Sequence, residues 1–230
     1  MRAAVITRAR GAPALQEVDE PRPTEHGTVV TVTAAGVNPH DLVVAAGVNQ
    51  PPPVPYVSGS EGVGTVGDGT RVDFGRTHLP HGSFAERAVT SADSVQEIPD
   101  ALADGAALAI GVAGISARLS LTRKAGLRQG EQVLVLGATG SVGRIAIQAA
   151  KVLGAGRVVA GRNPAVLDAL KERGADEAVR LDDDCPAALR KASQGGFDLV
   201  GGHALRSADG RSDESEQSPW LNHTARPVRR

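Results

Sequence analysis

The stretch Val133-Leu134-Val135-Leu136-Gly137-Ala138-Thr139-Gly140-Ser141-Val142-Gly143 joins a short apolar run to a glycine-rich turn. Four consecutive branched aliphatic residues suit a buried strand. From 144 to 153 the apolar residues recur at helical spacing. The glycines stand three apart, and each has a physical task. Small residues early in the turn let the chain reverse, Gly140 lets the backbone come close to a diphosphate, and Gly143 lets the helix pack on the strand. Outward from this turn the pattern repeats. Residues 157–160 predict a second strand, and 164–173 a helix with Asn163 as N-cap and Pro164 in its first position. Residues 178–181 predict a third strand, 186–193 a third helix and 197–200 a fourth strand. Strands alternating with helices in this way imply an α/β, doubly wound parallel sheet built by right-handed crossovers.

Two readings of the turn stand side by side. It is a tight strand-to-helix connection, or a phosphate cradle whose helix-opening N–H groups and dipole attract an anion. The strand before it, the helix after it and a second strand about twenty residues on favour dinucleotide binding. The cradle would be Gly137, Ala138, Thr139, Gly140, Ser141, Val142 and Gly143. At the tip of the second strand Gly161, Arg162 and Asn163 bring no acid to bond a ribose hydroxyl. An arginine there suits a 2′-phosphate, so the expected cofactor is NADPH rather than NADH. The plainer reading of Arg162 is a solvated surface residue.

Residues 1 to about 120 have a different texture. Short Val/Ala/Thr runs at 3–7, 28–34, 71–74 and 84–89 predict strands. Pro21, Pro23, Pro39 and the run Pro51-Pro52-Pro53-Val54-Pro55 argue against long helices. This is expected to be an irregular β-domain, with the partial sheet domain over 121–200. Residues 206–219 are polar without a period of 2 or 3.6, so the tail 201–230 is expected to be disordered.

Composition removes several classes. A net charge of −1 gives no footprint for nucleic acid or an anionic membrane, and 2% aromatics leave little to stack on bases. The one cysteine, Cys185, rules out an internal disulfide and a Cys-rich zinc site. Its neighbours Asp182, Asp183 and Asp184 disfavour a thiolate, so it reads as an ordinary thiol. No segment holds the about 18 uninterrupted apolar residues of a membrane span, and the apolar run at the N-terminus is too short for a signal peptide. The expectation is a cytoplasmic protein with a small-molecule substrate.

With these residues in view the chain resembles the medium-chain dehydrogenase/reductase superfamily. Three further stretches carry the likeness: Ala34-Ala35-Gly36-Val37-Asn38-Pro39-His40-Asp41, Gly59-Ser60-Glu61-Gly62-Val63-Gly64 and His81-Gly82-Ser83-Phe84-Ala85-Glu86. The resemblance implies a GroES-like irregular β-domain followed by an incomplete Rossmann sheet. Zinc alcohol dehydrogenases carry Cys at the position of Asn38 and His at that of Ser60. An amide and a hydroxyl are poor zinc ligands beside thiolate and imidazole. The structural zinc lobe with its four cysteines is absent too, so no metal is expected. The chain is therefore similar to the zinc-independent, quinone oxidoreductase-like branch.

That resemblance implies hydride transfer from NADPH to a flat quinone or activated enone lying over the nicotinamide in the cleft between the domains. A developing oxyanion would need a donor. Asn38 is the first candidate, and it is equally a turn-forming residue before Pro39. His40, Asp41 and Tyr56 are further catalytic candidates, His40 with the plainer reading of an exposed loop histidine. Glu61 is implied to be a structural carboxylate near the cofactor. Six strands make a full dinucleotide fold and four are visible here, so Val200 is expected to leave an unprotected sheet edge. The expectation is a truncated or frameshifted product. It would be an active reductase or an inactive NADPH-binding remnant, with a homodimer left open because the usual dimer strand is missing.

Overall fold

Short Val/Ala/Thr runs broken by Gly and Pro fill much of the first hundred residues, and among the described residues the computed structural model has eight strands there, more than the four that those runs predict. It describes residues 1–25, 27–48, 52–161, 167–180, 185–193, 195–202 and 224–225. The chain divides into two units, Met1–Val112 and Ala113–Arg230.

In the first unit β1 (Arg2–Ile6) pairs antiparallel with β2 (Ala14–Glu17) and with β4 (Tyr56–Val57). A five-stranded antiparallel sheet is formed by β3 (Gly27–Gly36), β5 (Glu61–Thr65), β6 (Arg71–Phe74), β7 (Arg87–Ser91) and β8 (Val95–Glu97), in the order β7-β3-β5-β6-β8. Val30, Val72, Phe74 and Ala88 bury one face of it, and Val63, Ile98 and Ala107 form a smaller cluster. The strand expected over 84–89 begins later, because Phe84 and Glu86 donate their N–H groups to Ser58 and Arg2 instead. Among the described residues two short helical pieces interrupt the β-structure, a 3-10 turn at Ala92–Ser94 and α1 (Pro39–Ala45), which starts on Pro39, where a missing N–H costs nothing.

Between 104 and 124 the chain is helical rather than β. α2 (Asp104–Leu108) leads through a wide turn, Ala109–Gly114, to α3 (Ile115–Leu119). Gly111 has non-helical backbone angles and breaks the run. By length and composition alone Asp104–Lys124 would suffice to cross a membrane. Its buried residues instead enter protein cores, Ala107 beside Val63 and Ile98, and Leu121 in the second unit's cluster. Arg71 anchors the start of α2. Its guanidinium donates to the carbonyls of Pro99, Asp100 and Leu102 and to Asp104, whose other oxygen accepts from Thr33.

The second unit holds a sheet in the order β11-β10-β9-β12-β13. β9 (Gln132–Leu136) is central, with β10 (Arg157–Gly161) and β12 (Leu199–Gly202) parallel on either side and β11 (Glu177–Arg180) beyond β10. The helices are α4 (Ser141–Val152), α5 (Leu167–Glu172) and α6 (Cys185–Ala192). Val133, Val135, Ile147, Ala150, Val158, Leu170 and Leu199 share one core; Leu134, Val179 and Ala192 share the one on the opposite side of β9. Every strand and helix expected here is present. α4 opens three residues before the expected 144, because Gly140 is extended and lets the helix begin at Ser141. Asn163, Pro164 and Leu181 lie outside the described residues, as does most of the tail. The unprotected edge expected at Val200 is not found. β13 (Thr224–Ala225) pairs antiparallel with β12, Val200 opposite Ala225, so four residues of the tail expected to be disordered, Gly201, Gly202, Thr224 and Ala225, lie in the sheet.

Candidate functional site

Two groups of residues bear chemistry, one in each unit. In the second unit the glycine turn follows β9. Gly137 takes a left-handed φ of 69°, a conformation that favours glycine. Ala138 is wholly buried. Gly140 donates to the Gly137 carbonyl at 3.0 Å and accepts from the Arg144 N–H at 3.0 Å, closing the first turn of α4. A Cβ on Gly143 would lie 2.3 Å from the Gly137 oxygen and 2.7 Å from the Ala138 Cα. Helix and turn therefore meet backbone against backbone. The first N–H groups of a helix have no intrahelical acceptor, and no side chain caps α4. Gly140 and Ser141 are exposed, while Thr139 and Val142 are half-buried. Gly161 ends β10 opposite Arg180. Arg162 and Asn163 lie outside the described residues.

In the first unit the backbone N–H of Asn38 donates to Asp41 Oδ2 at 2.7 Å, and the Asp41 N–H returns to the Asn38 carbonyl at 3.0 Å. This reciprocal pair fixes the start of α1 and uses the Asn38 main chain. Its side chain turns elsewhere: Nδ2 donates to Glu61 Oε1 at 2.7 Å. Glu61 Oε2 accepts the Val112 N–H at 2.9 Å. Glu61 is 4% exposed and Asp41 7%, while Asn38 is half-buried and His40 exposed. Three segments distant in sequence, the β3–α1 corner, β5 and the Gly111 turn, are thus tied together by one carboxylate. A Cβ on Gly111 would sit 2.9 Å from Glu61 Oε2, so a side chain there would obstruct the contact.

Tyr56 is elsewhere. It lies buried on β4 opposite Ile6, in the three-stranded sheet, and burial raises its phenol above its ordinary value. Among the described residues no hydrogen bond joins Tyr56 to Asn38, Asp41 or Glu61. Asp73 was not singled out by sequence reading. It shares the surroundings of Glu61, and burial, followed by the charge of Glu61, pushes its carboxyl up to about 6. A signal for it was present, since an acid between the core residues Val72 and Phe74 must face the other side of β6.

This arrangement has close relatives. The quinone oxidoreductase of Thermus thermophilus, whose crystal structures include a complex with NADPH, superposes with a TM-score of 0.78 at 32% identity, over 91% of this chain and 68% of that one. The chain belongs to the quinone oxidoreductase family. Curated members agree: the quinone oxidoreductase of Lama guanicoe is 31% identical over 219 residues, 87% of this chain and 65% of that protein. A 178-residue segment of polyketide synthase GfsB from Streptomyces halstedii is 37% identical, covering 73% of this chain and 3% of the synthase. No family model matches the chain. The chain spans at most about two thirds of the length of these curated relatives. As a quinone oxidoreductase family member it has the expected architecture, a GroES-like β-domain with its curled antiparallel sheet and a Rossmann-type sheet carrying the glycine turn.

Proposed function

We propose that this chain belongs to an NADPH-dependent oxidoreductase that passes hydride to a quinone or an activated enone without zinc. The observation that carries the reading is the uncapped opening of α4, where Gly143 lies too close to the Gly137–Ala138 backbone for any side chain. Main-chain N–H groups of Ser141, Val142 and Gly143 would receive the diphosphate, and Arg162 the 2′-phosphate. When bound, NADPH supplies the hydride. The protein's part is to orient and to place donors. One Asn38 amide hydrogen is engaged by Glu61, which fixes the amide plane. The second has no partner among the described residues and would meet a substrate carbonyl as negative charge grows on it. His40, exposed on α1, is the candidate proton donor. The zinc-free reading rests on donor chemistry: Asn38 and Ser60 offer an amide and a hydroxyl where zinc members offer thiolate and imidazole. We further propose a cytoplasmic location.

Titration with NADPH and NADH, followed by fluorescence and then by addition of 1,4-benzoquinone, tests this directly. NADPH is expected to bind about tenfold or more tighter than NADH, a difference of about 1.4 kcal/mol or more. Arg162→Ala should erase that preference while leaving NADH affinity within about twofold. Equal NADPH affinity in Arg162→Ala removes the arginine from the site. Binding without oxidation of NADPH by any quinone or enone favours a chain that holds the nucleotide and does not turn over. Absence of affinity for either nucleotide overturns the reading.

A further inference from the structure

Asp73 lies on β6 opposite Val63 of β5, the strand that begins with Glu61. Val72 and Phe74 on either side of it are buried in the core. Asp73 therefore faces the other side of the sheet, where Val63 packs with Ala107 of α2. Its Oδ1 is sealed from solvent and has no hydrogen-bond partner among the described residues. A Cβ built on Gly111 would lie 2.9 Å from Glu61 Oε2 and 3.6 Å from Asp73 Oδ1, so both carboxyl groups converge on one spot. Glu61 holds two donors there, the Asn38 amide and the Val112 N–H, whereas Asp73 Oδ1 has none.

A half-buried carboxylate with one oxygen sealed from water and without a donor, beside a second carboxylate, is costly to ionise on both counts. Among the described residues no cation relieves it. On the elements around this face the charged groups are Glu61 on β5, Arg71 on β6 and Asp104 on α2, with Asp41 at the start of α1. Arg71 is engaged by Asp104 at 2.6 Å and by three backbone carbonyls, and Asp41 takes the Asn38 N–H. From β8 the residue in register with Asp73 is the uncharged Gln96, and Glu97 is exposed.

We infer that Asp73 is a positioning residue: it keeps a proton beside Glu61, and in that neutral form it lets Glu61 hold the Asn38 amide in place. Loss of the proton sets two like charges against each other and loosens the Asn38 contact. The direction of titration agrees, since burial first and Glu61 second raise the Asp73 carboxyl from 3.8 to about 6. The folded chain thus binds this proton more tightly than the unfolded chain. The stabilisation is complete below the ordinary Asp value of 3.8 and is lost as the pH rises through about 6. For catalysis this rests on Asn38 acting as proposed above; for the ionisation itself it does not.

The test follows the Asn38 side-chain amide and the Asp73 carboxyl carbon by NMR from pH 4.5 to 8, without nucleotide. Both signals are expected to move together with a midpoint near 6 in the wild-type protein. In Asp73→Asn, whose amide can donate to Glu61 without ionising, the Asn38 signal should stay flat. A flat Asn38 signal in the wild-type protein, or the same step in Asp73→Asn, overturns the inference; the wild-type titration decides it even if the variant folds poorly. Where NADPH oxidation is measurable, kcat/KM should fall about tenfold from pH 5.5 to 7.5 in the wild-type protein relative to Asp73→Asn. Loss of turnover at every pH with the NMR step intact would count against the oxidoreductase reading and leave the proton assignment standing.

Discussion

Gly143→Val is expected to lower NADPH affinity by about 100-fold or more and to cost on the order of 3 kcal/mol of stability. Any Cβ at this position meets the Gly137 oxygen at 2.3 Å and the Ala138 Cα at 2.7 Å. Both are backbone atoms, so no flexible side chain can swing aside. Ala138 cannot retreat, because it is wholly buried in a cluster with Val135 and Ile147. The opening of α4 must therefore move away from β9, and the N–H groups of its first turn move with it. Gly140→Ala is the control that separates binding from folding. Its added methyl meets only the Gly137 oxygen, at 3.4 Å, and its φ of −79° suits any residue. Thermal melting of Gly140→Ala should stay close to that of the wild-type protein, within about 0.5 kcal/mol. If Gly140 is where a diphosphate approaches, the methyl weakens NADPH binding although folding is intact. Unchanged NADPH affinity in Gly140→Ala would make the turn a structural connection and nothing more.

The parts of this molecule that could be read in advance are those where one physical signal dominates. From β9 to β12 the apolar runs are flanked by glycines and separated by helical periods, and each expected element is present in the expected order, its bounds shifted by up to three residues. The opening of α4 was misplaced by three residues, since Ser141, Val142 and Gly143 carry no helical period of their own. β5 was hidden for a different reason. Glu61-Gly62-Val63-Gly64-Thr65 has poor strand propensity, yet Gly62 and Gly64 are required: a Cβ on Gly62 would strike the Phe74 ring at 2.6 Å, and one on Gly64 the Thr31 oxygen at 2.1 Å. Close strand packing, a tertiary effect, makes this segment β. The helical stretch after Ala103 was likewise missed, because Gly105, Gly111 and Gly114 blur its period. In the site, Asn38 and Glu61 were legible from their motifs, whereas the bond between them was not. Asp73 and the Gly111 turn come to Glu61 from segments far apart in the chain, and no local pattern records such a meeting.

That meeting gives the loss of Glu61 a large expected effect on the β-domain. Glu61→Ala is expected to destabilise the first unit by about 3 kcal/mol, a drop of roughly 10 °C in melting temperature. The side chain accepts two hydrogen bonds while nearly excluded from water. Truncation takes that acceptor away from the Val112 N–H and the Asn38 amide, and opens space beside Gly111. Both donors are only partly buried, so each that loses its acceptor costs toward the low end of about 1–3 kcal/mol, and the space opened beside Gly111 adds the rest. Glu61→Gln keeps the shape and one acceptor oxygen but turns an NH2 toward one of the two donors, so it should recover only part of the loss. A double-mutant cycle identifies the contact. Asn38→Ala alone removes one donor, and combined with Glu61→Ala it should add less than the sum of the two, with a coupling of about 1 kcal/mol. If Asn38 also orients substrate, Glu61→Ala lowers kcat more than it raises KM, because the amide is still present but no longer held. Strict additivity of the two substitutions, by melting and by turnover, would mean that Glu61 acts through Val112 and the helix start rather than through Asn38.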